Sequence, residues 1–136
     1  MRKITVLYRI LFLITAIIAG SIIVSGMEQH SELSTGYYTV SFGALVLVSI
    51  MLILFGLELS TSRFVPIITH LIPITLSLEL IHEHVPQMTF SYSFLLGLFY
   101  LISVWARFTV SEKTAALVLA LVHGFSGMML IVLPVV

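Results

Sequence analysis

The densest set of groups able to do chemistry in this chain is His82-Glu83-His84, with Glu79 one turn before it. Glu28, His30 and Glu32 fall on the same predicted side, so three histidines and four carboxylates gather there with no lysine or arginine among them. Imidazole and carboxylate suit Zn or Cu, and His82, His84, Glu79 and His30 form the candidate metal site. The spacing is weak support, because the two histidines of His-x-His point to different sides of a helix and converge only if the helix has ended by His84. The competing reading is a set of polar loop residues at a membrane surface.

A second constellation lies within apolar segments, where ionisable groups are costly and therefore point to function. His70, Pro73, Ser77 and Glu79 share one such segment, and His123 lies in another. Together they form a candidate polar path or ligand contact. Pro73 removes a helical hydrogen bond in mid-segment and should kink the helix, freeing a carbonyl for a ligand, an ion or a neighbouring hydroxyl. At about 100° per residue, His70, Pro73, Ser77 and His84 share one face, while Thr75, Glu79, His82 and Glu83 share roughly the opposite one. A helix polar on two sides is expected to face other helices all round, at the centre of a bundle.

Glu79 lies about 22 Å along a helix that begins near Phe64. At that height it can reach headgroups, handle a proton or cation, or ligate a metal. His70 and His123 also raise a bis-histidine haem, at depths of about 9 and 14 Å from the inner ends of their segments. His123, beside Gly124, suits an interhelical hydrogen bond equally well. Glu58 is expected to pair with Arg63 or Arg9.

Several absences narrow the chemistry. The chain has no cysteine, so no thiolate ligand or nucleophile, and no aspartate. It has no phosphate-binding glycine loop, no Gly-x-Ser-x-Gly and no His-Glu-x-x-His; His82-Glu83-x-x-Pro86 lacks the second histidine. An enzyme is not expected. The basic residues are too sparse for nucleic acid.

The elements that must hold these groups follow from composition. Of 136 residues, 60% are hydrophobic and 9% charged, with a mean hydropathy of +1.19, whereas soluble domains carry about 25% charged residues. So few charges cannot cover a water-facing surface, and lipid is the expected solvent. The sequence predicts an all-α integral membrane protein: a single domain, residues 1–136, forming a compact bundle of five transmembrane helices over about 4–26, 37–59, 64–84, 91–108 and 114–135. The basic start Met1-Arg2-Lys3 resembles that of a signal peptide, but the long apolar run after it and the lack of a clear small-x-small site predict a retained span.

The basic residues sort to one side of this topology. With the N-terminus cytoplasmic and the C-terminus at the outer face, Arg2, Lys3, Arg63, Arg107 and Lys113 fall inside, and Arg9 snorkels to the same interface. The location expected is a multi-pass protein of the cytoplasmic membrane if the source is prokaryotic. Tyr37, Tyr38, Tyr92 and Trp105 sit near span ends as an aromatic belt.

Small residues mark the packing faces. Ala116, Ala120 and Gly124 recur every four residues on the last span, and Ala16 and Gly20 repeat that spacing on the first. Packing within the chain is the first expectation and homo-oligomerisation the second. A chain that is nearly all span, with small-residue stripes, is expected to be a non-catalytic accessory, stabilising or assembly subunit of a larger membrane complex. The alternatives are a small oligomeric transporter or channel for protons or cations using the polar third helix, and a metal- or haem-binding redox or sensing protein.

Overall fold

The computed structural model describes residues 6–25 and 31–135. Five helices follow in order: α1 (Val6–Ser25), α2 (Glu32–Phe55), α3 (Phe64–His84), α4 (Thr89–Thr109) and α5 (Glu112–Val132). All five are long and apolar enough to cross a membrane, and no strand occurs among the described residues.

The helix boundaries have local chemical causes. Ser31 caps α2, its hydroxyl accepting from the Ser34 amide at 3.2 Å, with Glu32 in the positive first turn. α2 ends where Gly56 adopts φ 87°, a left-handed conformation that favours glycine, and the Gly56 amide still donates to the Leu52 carbonyl at 3.0 Å. The second span therefore runs from 32 to 55 rather than from 37 to 59, because a cap and a glycine, not hydropathy, set its limits. A 3-10 turn (Leu57–Thr61) follows.

The Ser62 hydroxyl accepts from the Val65 amide at 3.3 Å at the start of α3. Pro66 sits in the first turn of α3, where a missing amide costs nothing. Pro86 opens the short 3-10 turn (Pro86–Met88) that leads into α4. Ser111 caps α5, accepting from the Thr114 amide at 3.4 Å, directly after α4 ends.

The chain forms two compact units, residues 1–72 and 73–136, and passes from one to the other at the Ile72–Pro73 bond inside α3. In the first unit α1 packs along α2. Its core is Val48, Leu52 and Val65, with Phe12, Met51, Leu59 and Ile68 against them. Ala19 is the buried residue of α1, and Ala16 and Gly20 beside it are half-buried, so the small side of α1 is its packing side. The approach does not require glycine there, since a Cβ on Gly20 would meet nothing within 4 Å.

In the second unit α4 packs along α5, and Leu96, Ala106, Ala115 and Val122 are buried. Phe125 lies between two rings, tilted against Tyr92 at 6.2 Å and edge-on to Phe99 at 6.4 Å.

α3 differs from the other four helices in how little of it is exposed. Half of its apolar window is buried, against 6% for α1 and 11% for α4 and α5. Phe64 is its one exposed large apolar side chain.

Candidate functional site: a buried polar layer at one end of the second unit

α3 runs as one helix through Pro73. A proline there withdraws the amide that would bond the carbonyl four residues earlier, that of Thr69. One residue before the proline, the Ile72 carbonyl accepts from the Ser41 hydroxyl of α2 at 3.2 Å. This bond ties α2 to α3 beside the proline, at a carbonyl other than the one Pro73 frees. His70, 1% exposed, lies in the same stretch.

Beyond Pro73, Thr75, Ser77 and Glu79 are all buried, at 7%, 0% and 3% exposure. Ser77 and Glu79 are two residues apart and so lie on opposite sides of the helix, about 200° around its axis. The Ser77 hydroxyl donates to the Ile74 carbonyl at 2.8 Å. The side chain of Tyr92, in the first turn of α4, reaches Ser77. Its hydroxyl does not close a hydrogen bond of good geometry there.

The end of the second unit that holds the α3–α4 turn is rich in unmatched oxygen. Glu79 Oε2, Thr89 Oγ1, Tyr92 Oη and Ser126 Oγ are buried without a hydrogen-bond partner among the described residues. Thr89 and Tyr92 belong to the first turn of α4 and Ser126 to the last turns of α5, so the packing of α4 along α5 brings these three to one end of that hairpin, while Glu79 belongs to the last turns of α3. A buried hydroxyl or carboxyl oxygen without a partner costs free energy.

The remaining predicted residues fall elsewhere. His82 is half-buried, and Glu83 and His84 are exposed, with His84 Nδ1 3.0 Å from the Leu80 carbonyl. Among the described residues no three His, Cys, Asp or Glu side chains gather as a set able to hold a metal ion. His30 and Glu28 lie outside the described residues.

His123 is exposed on α5. Ala116, Ala120 and Gly124 are exposed as well, and a Cβ on Gly124 would meet nothing within 4 Å. This corrects the expectation that the stripe packs α5 inside the chain: Ala115, Val122 and Ser126 form the packing side instead. The physical reason is that both sides of α5 carry small residues at helical spacing, and spacing does not say which side meets α4.

Tyr92 also departs from expectation. At 9% exposure it is buried rather than part of an interfacial belt. Its position one turn ahead of Leu96, a residue with no exposure, is the sequence signal that could have placed it inside. Ser126, one turn beyond Val122, is legible by the same rule.

Compared with protein-family models, curated proteins and solved structures, the chain matches none.

Proposed function

We propose that the chain is a multi-pass membrane protein with a cytoplasmic N-terminus, serving as a non-catalytic accessory or assembly subunit of a larger membrane complex. The observation that supports this reading is the face of α5 made by Ala116, Ala120 and Gly124, which is exposed and has no bulk to hold a second helix away. A neighbouring transmembrane helix, from another subunit or a second copy, fits that face.

Purification from native membranes in mild detergent, followed by native mass spectrometry, tests the assembly. The expected result is a particle heavier than one chain, dispersed by Ala120→Leu. A monomer with no companion would overturn the reading. Placement in the membrane is tested separately with single cysteines in this cysteine-free chain. Ser62→Cys and Ser111→Cys should label from inside and Gln87→Cys from outside.

A second reading, a proton or cation conductor, is favoured by the buried Glu79 with its unmatched Oε2. Vesicles in which flux through the reconstituted protein is unchanged by Glu79→Gln would remove it.

A further inference from the structure

Of the lysines and arginines among the described residues, Arg9, Arg63 and Lys113 are exposed and Arg107 alone is half-buried. It stands in the last turn of α4, one turn beyond the buried Ser103 and next to the buried Ala106, and so lies on the packed side of the helix. Its Nε is sealed and has no hydrogen-bond partner among the described residues, while its terminal nitrogens are not sealed. A guanidinium keeps its charge, and taking one partly out of water without an acceptor is costly.

The described residues offer it no anion. Glu112 is the one acidic residue among them near this end of the second unit; it is exposed in the first turn of α5 and forms no ion pair with Arg107 or Lys113. Glu79 and Glu83 precede the α3–α4 turn, about 27 Å along α4 from Arg107, and Glu32 and Glu58 belong to the first unit. The negative end of the α4 dipole accounts for a cation here but not for burying it without an acceptor. Val110 and Ser111 alone join α4 to α5, so this link has no length to fold over the guanidinium. Trp105 and Phe108, exposed at 62% and 49%, mark this end as the level of a membrane interface, where headgroups begin.

We infer that the α4–α5 turn binds the phosphate of an anionic phospholipid. The terminal nitrogens of Arg107 donate to its oxygens in the forked geometry that suits guanidinium and phosphate, and Lys113, across the short turn, adds a second positive charge. Basic sites between spanning helices hold anionic headgroups on the cytoplasmic side in this way. A zwitterionic lipid also offers a phosphate, but it brings an ammonium that Arg107 and Lys113 repel. The site rests on the spanning placement proposed above, with this turn at a bilayer surface, and not on the assembly.

The test titrates the full chain, delipidated in detergent, with phosphatidylglycerol or phosphatidylcholine and counts bound lipid by native mass spectrometry. Phosphatidylglycerol should bind about tenfold more tightly than phosphatidylcholine. Arg107→Gln should weaken its binding about tenfold and Lys113→Gln about fivefold. Arg9→Gln and Arg63→Gln, which remove the same charge from the first unit, should leave it unchanged. Helical circular dichroism checks the fold of each variant, and Lys113, being exposed, keeps the test decisive if Arg107→Gln does not fold. Equal binding of the two lipids, full affinity in a folded Arg107→Gln chain or in Lys113→Gln, equal losses in the first-unit variants, or inorganic phosphate binding as tightly as the lipid would overturn the inference. Binding is read in detergent and so stands apart from the cysteine labelling. Ser111→Cys labelled from outside would reverse the proposed topology and leave this site standing, whereas Ser111→Cys unreactive from either side would remove the placement and the site together.

Discussion

α3 and α5 carry the same kind of residue, histidine within an apolar helix, and treat it in opposite ways. On α3, His70 is 1% exposed, and beyond Pro73 Ser77 and Glu79 are buried at 0% and 3% exposure. On α5, His123 is exposed, with Ala116, Ala120 and Gly124. α3 thus turns its histidine, serine and glutamate inward, whereas α5 leaves its histidine and a small-residue face on the surface. A polar residue in an apolar helix does not by itself tell which of the two applies.

The strongest test of this contrast exchanges a small residue for leucine on each helix. Ser77→Leu adds bulk where there is no room and should cost about 1–3 kcal/mol of fold stability, read from thermal unfolding in detergent. Ala120→Leu should leave unfolding unchanged and abolish the assembly instead. Equal losses of stability in the two would break the comparison.

The next test removes the imidazoles. His70→Leu should lower stability by about 1–2 kcal/mol, through the loss of a buried polar group's interactions. His123→Leu should stay within about 0.5 kcal/mol in the detergent-dispersed chain. A smaller effect is expected at the helix–helix hydrogen bond before Pro73. Ser41→Ala should cost about 0.6 kcal/mol, because such bonds are worth little more than that in membrane proteins. Removal of the Ser111 cap should be felt locally, as faster amide exchange at Thr114 and Ala115 in Ser111→Ala, with a loss at the low end of about 0.5–2 kcal/mol.

Much of this architecture is legible without coordinates, and the places where legibility fails are instructive. α3 is read to its limits, Phe64 to His84, because an apolar run ends there in charged and turn-forming residues. α2 is displaced by several residues, because Ser31 and Gly56 outweigh the hydropathy of the intervening chain. The polar groups of α3 are readable as a candidate site from their cost alone. Tyr92 and Ser126 are not, since a tyrosine near a span end and a serine in a helix are each common on membrane-facing surfaces. What sets them apart is that each is buried with an unmatched oxygen, which only the packing of the helices reveals.

By itself the sequence determined that there are five apolar helices of spanning length and that α3 is the polar one. Both follow from composition and from periodicity along one chain, which are local properties. Tertiary structure alone decided which side of each helix is inside. It put Ala115 and Val122 of α5 inward and His123 outward, sealed Tyr92 against Phe125, and supplied the Ser41 hydroxyl to the Ile72 carbonyl. The reason is geometric. A helix that is apolar or small-faced all round has no amphipathic stripe to announce its packing side, so only the shapes of its neighbours can choose it.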